Sequence, residues 1–187
     1  MKFRESNTFL FSYRYGRFLQ ELRKGVEIET KKKAQHETGL SQLAILFDAT
    51  VIEERDLILS FSKTFEKIGY KVTLMGYLDH AADTAGIPYK HFNRKNVSRN
   101  FIPSGVDVGK FLESEFDLLI NTDLSQSLPI HYLACLAKSY TKVGPHSAFD
   151  EYYHLILDTK DTFTIKQYIS ELIDILNKVS FNGRLES

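Results

Sequence analysis

Polar side chains gather where two apolar runs of this sequence end. The run "LAILFDA", Leu43 to Ala49, carries Asp48 near its end. The run "FDLLINT", Phe116 to Thr122, brings Asn121 to its end and enters a turn holding Asp123, Ser125 and Ser127, with His131 just beyond. Carboxylates, an amide, hydroxyls and an imidazole in one crevice would suit a metal ion, a sugar hydroxyl or general-base work. The same residue types also have an ordinary role, because Asp and Asn at strand-to-helix turns accept backbone N–H groups. That ordinary role is the heavier reading for Asp48 and Asp123, and no residue is assigned a catalytic part. His131 is the histidine to test as an acid or base, its alternative being a half-buried helix residue.

Several chemistries are disfavoured by what surrounds these residues. After the first run the chain reads "DATVIEE", with no glycine-rich turn, and its early acids would repel a pyrophosphate at a helix N-terminus. No Walker pattern is present, and Ser125 and Ser127 lack the flanking glycines of a nucleophile elbow. The six histidines are scattered without metal-ligand spacing, and the single cysteine, Cys135, sits within an apolar helical pattern. No cofactor and no metal site are therefore expected.

Two basic stretches point elsewhere. Near the N-terminus Phe9, Phe11, Tyr13, Tyr15 and Phe18 interleave with Arg14, Arg17, Arg23 and Lys24, and Lys31, Lys32 and Lys33 follow. Cations of this kind hold phosphates while rings stack on unpaired bases. The plainer reading is an amphipathic helix packed on its own domain or on a second copy of the chain. Lys90, Arg94, Lys95 and Arg99 lie in a second stretch with no acid between Asp83 and Asp107; its plainer reading is an exposed insertion.

The elements that must position these residues can be read from periodicity. Phe18, Leu22, Val26 and Ile28 fall near helical spacing within a helix expected from Tyr13 to Gln35, weakened by Gly16 and Gly25. The first apolar run reads as a strand covered on both faces. It leads into a helix whose start is marked by a Thr50/Glu53 capping box and whose face carries Ile58, Phe61, Phe65 and Ile68. Gly69 should stop that helix, and "YKVTLMGYL" then reads as the next strand. "YKHFN" is a brief edge strand, Val106 to Glu113 a short helix, and "FDLLINT" the second strong central strand. "LPIHYLACLAKS" is a helix with Pro129 in its first turn, capped by Ser125 or Ser127. "TKVG" and "YHLILDT" add strands, the latter carrying Asp158 at its end, and Ile165, Ile169, Leu172 and Leu176 stripe a closing helix. Such alternation implies an α/β fold in three layers, a mostly parallel, doubly wound (Rossmann-like) sheet preceded by an N-terminal helical arm. The switch point should lie between "LAILFDA" and "FDLLINT", bringing Asp48, Asn121 and Asp123 to one crevice.

The chain of 187 residues divides in this reading into a basic, aromatic-rich arm, 1–37, and an α/β domain, 38–187. Net charge is zero overall, yet 1–37 carries +4 and 107–187 carries −5. Charge asymmetry of this kind bears on partners more than on fold. No apolar run is long enough to span a bilayer, and the N-terminus makes a poor signal peptide, so a cytoplasmic protein is expected.

With "LAILFDAT", "KVTLMGYLD", "FDLLINTDLSQSLPIHYLACLAKSYTKVG" and "YYHLILD" in this order, the sequence resembles a family of short uncharacterised proteins from Bacteroidetes genomes. The resemblance implies a family and no activity. The strand, turn, helix and "KVG" segment is also similar to the N-terminal acceptor domain of heptosyltransferase-type glycosyltransferases, which supports the fold rather than the reaction. Two functions are carried forward. One is a non-enzymatic binding or accessory protein that contacts RNA or a ribonucleoprotein through the arm, with self-association through the arm as its competitor. The other is a binder of, or enzyme on, a sugar or phosphorylated metabolite at the strand-end crevice.

Overall fold

In a computed structural model of the chain, residues 8–30, 41–82, 86–159 and 163–178 are described. Six strands form one sheet: β1 (Gln42–Asp48), β2 (Lys71–Leu78), β3 (Lys90–Asn93), β4 (Glu115–Asn121), β5 (Lys138–Pro145) and β6 (Leu155–Leu157). They lie in the order β3-β2-β1-β4-β5-β6 and every pairing is parallel. This is the strand order of the doubly wound dinucleotide-type sheet, with its reversal between β1 and β4. The three-layer α/β architecture and the position of the switch point are as the sequence implies.

Alternation along β1 shows why its run is unbroken. Ala44 and Leu46 enter one core, while Leu43, Ile45 and Phe47 enter the other. The first core is covered by α1 (Thr8–Thr30), α3 (Val106–Glu113) and α4 (Leu128–Leu136), the second by α2 (Ile52–Lys67) and α5 (Ile165–Lys178). A strand buried on both faces cannot spend every second position on a polar residue.

Helix ends follow local chemistry, with one correction. Gly69 at φ 93° lets Gly69 N–H reach Glu66 O at 3.1 Å and Tyr70 N–H reach Phe65 O at 3.0 Å, the paired bonds of a glycine stop. The expected Thr50/Glu53 capping box does not form: the N-cap of α2 is Val51, with no side-chain bond. Thr50 Oγ1 instead accepts from Asp79 N–H at 2.9 Å, tying the β1–α2 turn to the end of β2. At α4, Ser127 holds the N-cap position and Pro129 lies in the first turn, but the serine hydroxyl makes no capping bond.

The basic helix is part of the fold. Its expected start at Tyr13 is five residues late, since α1 begins at Thr8; the expected boundary near Thr38 and the lysines Lys31, Lys32 and Lys33 lie outside the described residues. Phe18 and Leu22 are buried against the α4 side, Phe18 meeting Tyr132 and Phe149. Gly25, which lowers helix propensity, has a packing use: a Cβ there would stand 2.6 Å from Leu136 Cδ2.

Candidate functional site

The crevice residues divide between the two sides of the sheet, and they do so at the strand ends rather than by alternation, since Asp48 follows Leu46 just as Asn121 follows Leu119. Asp48, Asp123 and Ser125 line a cleft of about 510 Å³ beyond the ends of β1 and β4, on the α2 and α5 side. Asn121 and His131 lie towards the opposite core. Thr122 closes the seam at the switch point: its N–H and Oγ1 both bond Leu46 O, at 2.9 and 3.0 Å.

Asp123 is spent on its own turn. Its Oδ1 accepts from Ser125 N–H at 2.9 Å and from Ser125 Oγ at 2.5 Å, and its Oδ2 from Ser127 N–H at 2.7 Å. Burial pushes its carboxyl above the usual range, against these bonds, which pull it down. Asp48 is half-buried and, among the described residues, takes hydrogen bonds from Thr50 alone, the backbone one at 2.8 Å. Burial raises its carboxyl too, and the charges of Asp123 and Asp79 add to the rise. Glu54, one of the early acids of "DATVIEE", joins the cleft; its carboxyl is raised by burial and then by Asp48, Asp123 and Glu53. Three acids thus share one small volume. Among the described residues no group of histidine, cysteine and carboxylate side chains has metal-binding geometry.

On the other face a buried polar chain holds the turn. Tyr153 stands between Asn121 and His131, and His131 Nε2 meets Gln126 Oε1 at 3.1 Å. Gln126 adopts a left-handed φ of 61°, uncommon for a residue with a side chain, and its amide is fixed at both ends, since its Nε2 donates to His146 O at 3.0 Å. Burial lowers His131 to about 4, so it is neutral at pH 7. Burial likewise pushes the Cys135 thiol up to about 12, consistent with a core residue rather than a nucleophile.

The two basic stretches meet in space. Arg14 places its guanidinium carbon 4.4 Å from the centre of the Phe101 ring and donates from Nε to Arg99 O. Phe11 adds a ring contact to Phe101 at 6.0 Å. Phe101 has a left-handed φ of 62°, and its ring is held between these two residues of α1. The second basic stretch has structure of its own: Asn93 caps the short 3-10 turn Arg94–Asn96 with a reciprocal capping box, and Val97 bridges Pro103. Along α1 the solvent side carries Phe9, Tyr13, Arg17 and Lys24, spaced by whole turns, with Arg23 beside them. Arg17 and Lys24 both lie near Glu21, at 3.9 and 3.3 Å. Lys95 and Arg99 are exposed, Arg94 pairs with Asp79 at 2.9 Å, and Lys90 is half-buried on edge strand β3. The adjoining roles of Phe101, Tyr153 and Gln126 had no signal in the sequence.

The fold defines a three-layer α/β protein with a parallel sheet of Rossmann order and a strand-end cleft. The chain belongs to the family of unknown function DUF6913, which it matches over residues 17–179. No curated protein and no solved structure matches it. No helix among the described residues is long and apolar enough to cross a membrane.

Proposed function

We propose that the protein is a non-enzymatic RNA-binding or ribonucleoprotein-associated accessory protein, and that its contact face is the outer stripe of α1 joined to the 94–101 segment. The observation that carries this reading is the seating of Arg14 on Phe101 and Arg99, which fuses two separate basic stretches into one surface. On that surface Phe9 and Tyr13 are 85% and 63% exposed beside Arg17, Lys95 and Arg99. Exposed rings next to cations suit unpaired bases stacked along a phosphate backbone. The pairing of Arg17 and Lys24 with Glu21 does not oppose this, because exposed ion pairs contribute little and exchange readily for a phosphate.

Anisotropy titrations of a labelled stem-loop RNA across a salt series test the reading. Binding should weaken with salt, and Arg17→Gln or Arg99→Gln should flatten the log–log slope by about 0.7 for each single-strand phosphate that is no longer neutralised. Tyr13→Ala should weaken binding without changing the slope. Absence of binding at low salt, or slopes indifferent to both arginines, sinks the proposal. A doubled mass in sedimentation that returns to monomer on Tyr13→Ala would assign the same face to self-association.

A further inference from the structure

The strand-end cleft lies on the side of the sheet away from α1, so whatever it holds is independent of the RNA face. One wall is apolar, with Leu57 and Ile58 from α2 and Phe163 and Ile165 at the start of α5. The other is anionic, with Asp48 and Glu54 beside the turn that Asp123 holds. The lining includes one cation, Lys166, on the exposed first turn of α5. Glu54 has no hydrogen-bond or ion-pair partner among the described residues, and Asp48 is engaged only by Thr50.

Charge decides which ligands can enter. A phosphate or carboxylate placed against Asp48 and Glu54 would meet two like charges in a half-desolvated space, where repulsion is several times stronger than in water. No glycine-rich turn offers compensating N–H groups. An ammonium there relieves the repulsion between the acids instead, and an apolar body attached to it removes the Leu57 and Phe163 wall from water. We propose that the cleft is a binding site for a small organic cation, an amine with an apolar body, whose ammonium sits between Asp48 and Glu54 and whose body lies on Leu57 and Phe163.

Three probes sharing one ring separate the possibilities: tryptamine, tryptophol and indole-3-acetate, titrated into the full chain and followed by amide shifts of Thr122, Leu124, Ser125 and Thr164. Tryptamine should give saturable shifts at these amides with at least tenfold tighter binding than indole-3-acetate, with tryptophol between. Glu54→Gln, at an exposed position, should weaken tryptamine at least threefold while the spectrum stays dispersed, and Asp48→Asn should do the same, since its amide oxygen can still accept from Thr50. Equal or tighter binding of the acid or the alcohol overturns the proposal. So does the absence of saturable shifts with all three, or tryptamine binding indifferent to both substitutions. RNA binding by the same samples is read separately, so failure of one site leaves the other standing.

Discussion

Asn121 Nδ2 donates to the Tyr153 hydroxyl at 2.8 Å in the buried space under α4. The direction of every bond around this pair is set by backbone groups at its two ends. Asp123 N–H can only donate, so Asn121 Oδ1 accepts from it, at 3.0 Å. At the far end His146 O can only accept, so Gln126 turns its amide nitrogen to it and its oxygen to His131. His131 must then carry its proton on Nε2 and leave Nδ1 to accept from Tyr153 at 3.4 Å. One neutral tautomer satisfies the whole chain.

That assignment predicts the acid limb of stability. His131 is depressed to about 4 in the folded protein and returns to its ordinary 6.5 on unfolding. The unfolded chain therefore binds the extra proton first, and the contribution of neutral His131 is complete above pH 6.5 and lost as pH falls to about 4. The loss amounts to roughly 3 kcal/mol, using about 1.4 kcal/mol per pKa unit. Urea midpoints between pH 4 and 7 for the native chain and for His131→Gln should differ in slope, the variant being flatter. Parallel profiles would show that another group governs the acid transition.

Gly144 is predicted to be intolerant of a methyl group. A Cβ there would stand 2.4 Å from Tyr153 Cε1 and 2.9 Å from two further ring atoms, and the ring is buried and hydrogen-bonded. Gly144→Ala should cost about 1–3 kcal/mol, the usual range for overpacking. A Gly144→Ala, Tyr153→Phe pair should recover none of it, because the clash is with the ring rather than its hydroxyl. Thermal melts of Gly144→Ala, Tyr153→Phe and the double variant decide this.

Two of the three acids of the cleft, Asp123 and Asp48, should respond to amidation with opposite signs. Asp123→Asn turns an amide NH2 towards an N–H donor, Ser125 or Ser127, and should destabilise by about 1–3 kcal/mol. Asp48→Asn keeps the Thr50 bond and removes a charge repelled by Asp123 and Asp79, and should stabilise by a few tenths to about 1 kcal/mol at neutral pH. Because the Asp48 carboxyl is raised on folding, that gain should be complete above its folded pKa and vanish below its unfolded one. Melts at pH 7 and pH 3.5 test both signs together.

Arg14→Ala should release the 98–102 segment without unfolding the domain. The variant loses the Phe101 stacking and the bond to Arg99 O, a combination of about 1–2 kcal/mol at a largely exposed site. Amide exchange at Phe101 and Ile102, whose N–H groups bond within the segment, should speed up about tenfold while Leu118 and Leu119 in β4 stay protected. Arg14→Lys keeps the charge but not the planar group and should behave like alanine. Unchanged exchange in both variants would mean the segment holds itself.

Much of the fold was legible along the chain because it rests on local pattern. The continuous run 43–47, the Gly69 stop, Pro129 in a first turn and the helical spacing of Ile58, Phe61 and Phe65 each follow from burial or backbone restriction at neighbouring positions. The Thr50 capping box misled because a distant partner, Asp79, took the hydroxyl. Asp48 and Asn121 both stand at strand ends, as read, but the partner each finds there is not readable: Asn121 turns to Tyr153 while Asp48 lines the cleft.

By itself, then, the sequence determined the alternating α/β elements, the three-layer class, the switch point, and the absence of the glycine-rich turn on which a bound pyrophosphate would rest. Tertiary structure alone decided which polar groups meet. It sent His131 and Asn121 to Tyr153, brought Glu54 to Asp48, and laid Arg14 on Phe101. The reason is physical: secondary structure is written in spacings of two to four residues, whereas these contacts join positions as far apart as Arg14 and Phe101 and exist only once both cores have closed.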